Sequence, residues 1–394
     1  MLAVMPVKSG LRSYGGLPRL SYKLVKMKHS KYIHIFWGYD TKFSGPLVNM
    51  FNESPEFFSK EDHLFVTPFK QVKSELSRHP NVILDENGTP AQLINRYAKQ
   101  CDWLISHGMA SHVYSVKRKY LKKIVWRTWG GSRQKAKWDS QNILSSLRAK
   151  LKDLIYYLYY RFSYGCSPVI GIANTVDVLD LGQWGWCKKA RLMPIGYSDS
   201  SIDRLLENVV IHKRKGQEPI KFLVGHQGNP GENQFEIVTK LLSYKKKNME
   251  IILPLSYGDK EYIRDLVAKL EKLKDDRIHI LKDFISLGEY LQLLADIDIA
   301  IFDEKGSMAL GNIAYLLYFR KKIILNDESI VKKAFVHEHL PYGLTLDIGI
   351  KEFDEIIKPV QYLDNQDSDL IFQPYPVRCN RYIKLFDYLD SLKK

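Results

Sequence analysis

No run of 18 or more apolar residues occurs anywhere in the 394-residue sequence, which excludes a membrane-spanning helix. Cysteine is scarce. Cys101, Cys166, Cys187 and Cys379 stand far apart and form no C-x-x-C or Cys/His pattern, so the chemistry of a zinc site is missing. Four cysteines in a chain of this size, with no export signal, fit a reducing cytoplasm. The opening residues, MLAVMPVKSGLRSYGGLPRLSYKLVK, lack the continuous apolar core of a secretory signal. Residues 1–26 are therefore expected to be an extension, with the ordered fold starting at Met27. Internal repeats and low-complexity tracts are absent too. Acidic residues are in deficit: 44 Asp and Glu face 59 Lys and Arg, a formal net charge of +15. That excess calls for an anionic partner, whether nucleic acid, anionic lipid headgroups or a phosphorylated substrate.

What is present is an alternation of short apolar strands with helical stretches, the pattern of an α/β protein with parallel sheets. The first half offers strands at 32–37, 63–68, 81–85, 102–107, 123–129 and 168–174. The second half offers them at 220–226, 249–255, 277–283, 297–303 and 321–327, with periodic helices at 261–273 and 286–297. Between the halves, SDSSIDRLLENVVIHKRKGQEP (198–219) is polar and charged and reads as a connection. A chain this long defaults to two domains. The expected organisation is a Rossmann-like domain over 27–197, a linker over 198–219 and a second Rossmann-like domain over 220–375. The last stretch, 376–394, is expected to be a helix returning to the first domain.

In open α/β sheets, ligands sit beyond the carboxyl ends of the strands. Here those ends are polar or glycine-rich. The strand IKFLV empties into GHQGNPGENQFE, where Gly225, Gly228 and Gly231 permit close approach and Asn229, Asn233 and Gln234 carry amides. A phosphate loop and an ordinary βα turn fit this segment equally. In PLSYGDKEYI, Ser256 and Tyr257 suit a base or sugar, and Tyr262 opens the next helix. In IFDEKGSMALGNIAYLL, a helix starting near Ala309 or Gly311 would aim free N–H groups at a diphosphate. Asn326 and Glu328 in LNDES read as surface loop, within reach of a ribose or sugar hydroxyl.

GHQGNPGENQFE, LPLSYGDKEYI and ALGNIAYLLYFRKKIILNDE, in this order and at these spacings, resemble the TDP-N-acetylfucosamine:lipid II N-acetylfucosaminyltransferase family, glycosyltransferase family 56. The resemblance is close from about 220 to 345, ending in EHLPYGL, and looser before it. There WRTWGG (126–131) is similar to the family's W-x-x-W-G signature. It implies a GT-B architecture: two facing Rossmann-like domains with a cleft between them. It also implies transfer of an amino-deoxyhexose from a TDP-sugar to a polyprenyl-diphosphate-linked saccharide at the cytoplasmic membrane face, as in enterobacterial common antigen or O-antigen assembly. By position, the first donor loop would be Gly225, Gly228, Asn229, Pro230, Asn233 and Glu236. The second would be Ser256, Tyr257, Gly258 and Tyr262, with Gly311 and Asn312 opening the diphosphate-facing helix. The chain also departs from the pattern. Many relatives carry Arg-Gln-Gln-Gly where this sequence has GSMA (306–309), so Lys305, a point charge and not a bidentate fork, is the substitute. After WRTWGG the family often continues with an acidic residue, whereas SRQKAK follows here.

Asp296-Ile297-Asp298 has the D-x-D spelling of a metal-binding glycosyltransferase motif, but it sits where a strand begins, away from the carboxyl end. Asp367-Ser368-Asp369 lies in a polar turn. A helix N-terminus and basic side chains can offset a leaving diphosphate without metal, so neither metal nor cofactor is expected.

The stretch 117–137 has nine Lys or Arg and no acidic residue, and 143–162 follows with Leu144, Leu147, Leu151, Leu154 and Leu158 on one helical face. Tyrosines cluster near one end, and Arg148 and Lys152 lie off the apolar stripe, a composition suited to a membrane surface. With Trp126, Arg127, Trp129 and Gly130 they form the expected acceptor or membrane side. A base for the acceptor hydroxyl would come from strand ends of the first domain: Asp40 in FWGYDTKFSGP, His107 in LISHGMASH, and His112 as a weaker choice. Two other readings remain at this point. One is a GT-B transferase using a UDP- or GDP-sugar. The other is a non-catalytic basic protein binding nucleic acid or anionic membrane, which leaves the polar strand ends without a purpose. The expected partners are a nucleotide-sugar, a polyprenyl-linked acceptor and the membrane face, not nucleic acid.

Overall fold

The computed structural model describes residues 29–37, 41–108, 115–128, 165–184, 190–196, 199–212, 214–245, 247–363 and 368–393, with positions 151, 154, 155, 158 and 161. The first half builds a seven-stranded sheet from β1 (Ser30–Phe36), β2 (His63–Thr67), β3 (Val82–Leu84), β4 (Cys101–His107), β5 (Ile124–Arg127), β6 (Val169–Ile172) and β7 (Arg191–Pro194). The order is β3-β2-β1-β4-β5-β6-β7. The second half builds a six-stranded sheet from β8 (Ile220–Val224), β9 (Met249–Pro254), β10 (Ile278–Leu281), β11 (Ile299–Phe302), β12 (Lys322–Leu325) and β13 (Gly343–Leu344), ordered β10-β9-β8-β11-β12-β13. The recorded strand pairings are parallel in both sheets.

Parallel strands covered on both faces are apolar on both faces, and period-2 alternation sorts their residues between two cores. On β1, Ile33 and Ile35 enter one cluster while Tyr32 and Phe36 enter the other. On β8, Leu223 faces one core, and Phe222 and Val224 the opposite one. The covering helices of the first half are α1 (Thr41–Glu53), α2 (Lys70–Glu75), α3 (Pro90–Tyr97), α4 (Arg118–Leu121) and α5 (Thr175–Trp184). Those that follow are α6 (Ser201–Glu207), α7 (Gln234–Leu242), α8 (Lys260–Lys272), α9 (Leu287–Asp296), α10 (Leu310–Tyr318), α11 (Ile330–His337), α12 (Phe353–Ile357) and α13 (Tyr375–Ser391). Start signals work locally. Ser286 and Glu289 close a capping box on α9, and the Asp259 carboxylate accepts from Glu261 N and Tyr262 N at the start of α8.

Each expected strand segment contains a strand. Two strands were not foreseen. β7 is the short, Pro-ending RLMP at the sheet edge, and β13 is only two residues, so neither carries a period long enough to read. The polar connection also holds structure: α6 buries Leu206.

Two features join the halves. Helix α13 follows the second sheet in sequence but packs Cys379, Tyr382, Leu385, Phe386 and Leu389 into a core of the first sheet, beside Phe51 and Met193. At its start, Arg378 pairs with Asp203 of α6 (2.5 Å) and donates to the Asp199 carbonyl. Val176 of α5 belongs to the same core cluster as Phe335 of α11.

Candidate active site

Strand order reverses between β8 and β11, so the crevice beyond their carboxyl ends is the topological switch point of the second sheet. The loop after β8 lines it. Gly225 has φ +74°, and a Cβ there would overlap the Glu232 carboxylate. Gly258, at φ +131°, lies so close to Gly228 that a Cβ would overlap its backbone. Gly228 N donates to the Tyr257 carbonyl and Asp259 N to the Gly228 carbonyl, both at 2.8 Å, so the two loops are zipped together. These glycines therefore serve close packing of loop on loop. Glu232 explains the rest. It is 2% exposed, its Oε2 accepts from His226 N (2.8 Å) and Gln234 Nε2 (3.3 Å), and its Oε1 lies 2.5 Å from His226 Nδ1. The anion held in the interior of this loop is the chain's own carboxylate.

The remaining strand ends converge on the same crevice. Asp303, after β11, accepts from Asn233 (2.8 Å), Asn326 (2.9 Å) and Thr345 (2.5 Å), tying the ends of β8, β12 and β13 together. Tyr257 stacks on Phe284, with centroids 6.2 Å apart, and its ring edge meets His226 at 6.4 Å. Burial, with the Glu232 charge, pushes the Tyr257 phenol up to about 12. Tyr290 is raised as well, chiefly by burial, and its hydroxyl accepts from Asn312 Nδ2 at 2.8 Å. Asn312 sits in the first turn of α10. That helix starts at Ala309 in the left-handed region (φ 58°), with no side-chain cap, and nothing stands where a Gly311 Cβ would be. Its free N–H groups and positive dipole end are available to an anion.

The other sequence-named residues fall in varied places. The Asn229 side chain accepts from Gly231 N (3.3 Å), and Pro230 begins a single 3-10 turn, so both shape the loop. Asn233 adopts φ 48° at the start of α7. Glu236 is exposed and pairs with Lys240 (2.8 Å) on α7, a helix-surface pair. Ser256 is half-buried beside Tyr257. Tyr262 packs its ring against the second-sheet core, where burial raises its phenol. Lys305 is exposed and paired with Glu328 at 2.5 Å. Asp298 accepts from Lys221 N (2.9 Å) where β8 and β11 begin, at the edge of the sheet opposite the crevice. Asp369 pairs with Arg381 (2.6 Å).

On the first sheet, His107 ends β4 but is 1% exposed. It belongs to a row of imidazoles across three strands: His107 Nε2 to His34 Nδ1 at 3.0 Å, and His34 Nε2 to His63 Nδ1 at 3.0 Å. Burial depresses all three. His34 and His107 are held well below the usual imidazole range, and His63 is lowered to about 3. A neutral imidazole has one donor and one acceptor, so the row is directional and its tautomers are coupled. His107 as placed is thus a buried member of that row, not a group facing an open cleft. Trp126 is fully buried in the first-sheet core, and Arg127, 4% exposed, lies 3.7 Å from the buried Asp177 carboxylate. Both had been expected on an acceptor or membrane surface. They are corrected to interior positions, because β5 is a central strand covered on both faces. Asp40, His112, Trp129, Gly130, Arg148 and Lys152 lie outside the described residues.

Comparison with known families bears on the same crevice. The family of 4-alpha-L-fucosyltransferases, glycosyl transferase group 56, matches residues 197–373, the span that contains every strand end described for the second sheet. The chain is a glycosyltransferase. Solved structures agree on the fold of the transferase. A glycosyltransferase from Rickettsia africae ESF-5 is 10% identical, with a TM-score of 0.59, over 91% of this chain and 98% of that one. HepE of Anabaena, in complex with UDP and glucose, is 12% identical with a TM-score of 0.51, over 92% and 99%. A protein described as a putative UDP-N-acetylglucosamine 2-epimerase from Listeria monocytogenes is 14% identical with a TM-score of 0.51, over 92% and 97%. The transferase has the GT-B architecture, with two parallel-sheet halves.

Sequence reasoning passed over four crevice residues of the transferase: His226, Glu232, Tyr290 and Asp303. A signal existed for two of them. His226 stands two residues past the end of a buried strand, and Glu232 is the carboxylate in the middle of its glycine loop. Tyr290 lies inside a periodic helix and carried none.

Proposed function

We propose that the transferase moves an amino-deoxyhexose of the N-acetylfucosamine kind from a TDP-sugar to a polyprenyl-diphosphate-linked saccharide at the cytoplasmic face of the membrane. The product would enter surface polysaccharide of the enterobacterial common antigen or O-antigen type. The observation that carries the reading is the uncapped start of α10 at the switch crevice, walled by Tyr257 and Tyr290, within the span matched by group 56. There the helix N–H groups meet the donor diphosphate, and the aromatic wall takes the nucleoside or the sugar. The charge of the leaving diphosphate is met by that helix end, without a requirement for a metal ion.

A lipid-linked acceptor calls for a surface that meets the bilayer. Among the described residues no helix is long and apolar enough to cross one. Helical positions 151, 154, 155 and 158 instead expose Leu151, Leu154, Ile155 and Leu158, each more than half accessible. Their spacing of three and four places them on one face, and the surrounding sequence is basic, a pairing that favours an anionic bilayer surface. Changing Leu154 and Ile155 together to Glu is expected to abolish flotation with vesicles containing anionic lipid while leaving nucleotide binding intact.

Thermal stabilisation by TDP, UDP and GDP, each with and without EDTA, tests the donor. Selective stabilisation by TDP that survives EDTA supports the reading. Loss of the TDP effect with EDTA removes the metal-free part of it. A second reading, a UDP-sugar donor, has the two-sheet fold shared with UDP-bound HepE in its favour, and stronger stabilisation by UDP would select it.

A further inference from the structure

The crevice holds an imidazole to which neither the resemblance nor the family match gives a role. His226 is 8% exposed and follows Gly225 at the end of β8. Its Nδ1 sits 2.5 Å from Glu232 Oε1, a charge-assisted contact that falls short of hydrogen-bond alignment, while the other oxygen of the same carboxylate accepts from the His226 backbone. Ring and main chain are thus gripped by one buried carboxylate. Its neighbours Tyr257 and Phe302 meet the imidazole edge-on, at 6.4 and 6.5 Å. Nε2 has no hydrogen-bond partner among the described residues. Nδ1 is buried against the carboxylate, so Nε2 is the ring nitrogen left for a ligand at the switch crevice.

The charge inventory of the crevice agrees. Lys305, in the segment that leads into α10, is exposed and committed to Glu328 at 2.5 Å. His226 is then a further side-chain donor that the adjoining β8 loop offers a diphosphate at the start of α10. Gly225 N donates to the Ile301 carbonyl (2.9 Å), which holds this loop against β11, the strand that leads to α10.

We propose that His226 is a catalytic residue of the donor site, and that Glu232 is the positioning residue that holds its Nε2–H toward the departing diphosphate. The inference rests on the donor-site reading above. In the transfer step, the acceptor hydroxyl oxygen forms a bond to the anomeric carbon. The bond from that carbon to the β-phosphate oxygen breaks, and its electron pair stays on the phosphate. The hydroxyl proton passes to water or to a base of the first sheet. His226 Nε2–H hydrogen-bonds to the oxygen on which charge develops and keeps its proton. With Nδ1–H facing the Glu232 carboxylate, Nε2–H is carried by the imidazolium form of the ring, and it is in that form, paired with its buried acid, that His226 donates to phosphate.

The test compares nucleoside diphosphate with monophosphate binding by titration calorimetry, using TDP and TMP, or UDP and UMP if the protein selects uridine. His226→Gln is expected to weaken diphosphate binding by about 10-fold, to leave monophosphate binding unchanged, and to lower kcat by roughly 10²-fold, as loss of one preorganised donor does. Glu232→Gln is expected to reproduce the same selective loss more mildly. Equal weakening of both nucleotides would mean that the loop has collapsed, and would overturn the assignment. So would unchanged diphosphate affinity with retained kcat. The wild-type protein provides an arm that needs no variant: in spectra of ¹⁵N-labelled histidine, the His226 Nε2 resonance should move with the diphosphate and not with the monophosphate. A resonance that ignores both, in a protein that binds both, also overturns the assignment. If the wild-type protein binds no nucleotide, the donor-site reading falls and this inference falls with it.

Discussion

Each half buries histidine at its first strand, yet the two arrangements are built to opposite ends. In the first sheet, His63, His34 and His107 run across β2, β1 and β4, and both His34 nitrogens are bonded to neighbouring imidazoles. In the second, a single imidazole is backed by a carboxylate, and its Nε2 is unbonded among the described residues. The difference lies in strand position. His34 is mid-strand with helices covering both faces, so burial forces neutrality and internal pairing. His226 lies just beyond a strand, where the sheet stops and a loop with its own acid takes over. Residue type alone does not decide a histidine's role; the neighbour behind it does.

The sharpest break of this comparison is His34→Ala. It opens a cavity and strips one partner from each of two buried imidazoles, so urea denaturation should show a loss of about 3–5 kcal/mol. Unchanged stability with abolished transfer would instead make the row catalytic. Asp177→Ala acts on the same half: leaving Arg127 buried without its carboxylate is expected to destabilise by a similar 3–5 kcal/mol, read the same way. In the second half, Gly258→Ala forces an L residue to φ +131° against Gly228 backbone. A loss of about 1–3 kcal/mol is expected, with weaker nucleotide binding because the zipped loops part.

The pH dependence separates the two clusters further. The row histidines have folded pKa values depressed from the ordinary 6.5, with His63 at about 3. Below pH 6.5 the unfolded chain takes up protons that the folded one refuses. Stability is therefore fully present above that pH and falls as pH drops toward the folded values, by up to about 1.4 kcal/mol per pH unit for each such histidine. Melting curves between pH 7 and pH 5 should show this fall, and a variant with His63 changed to Phe should show a shallower one. The smallest effect is expected at Lys305→Ala. Its exposed pair with Glu328 contributes little, so the denaturation midpoint should be essentially unchanged. Nucleotide affinity should change less than in His226→Gln. A larger loss at Lys305 would move the phosphate contact back to that lysine.

Much of this was legible. Eleven apolar segments were placed as strands because a parallel sheet buries both faces and leaves short continuous runs. The capping box of α9 and the cap of α8 are spelled by adjacent residues. The glycine loop is legible as a loop, but its packing is not: Gly225 and Gly258 look the same in sequence whether they make room for a ligand or for another part of the chain. Trp126 and Arg127 were placed on a surface because a basic flank surrounds them, although β5 lies in the middle of the sheet with Trp126 in its core. Lys305 looked like a free cation because Glu328 is 23 residues away in sequence.

By itself, the sequence determined the class of the protein: alternating strand and helix periods, two sheets, polar strand ends, and motifs in the order of a glycosyltransferase group. Those properties are local, set by which faces a segment must bury and which backbone groups its neighbours can cap. Only the tertiary structure decided which ends meet. Pairing of β8 with β11 brings Asn233 to Asp303 across 70 residues, the zipped loops put Glu232 behind His226, and parallel β1, β2 and β4 line up three histidines from distant segments. Such meetings depend on strand order and register, which no local period encodes.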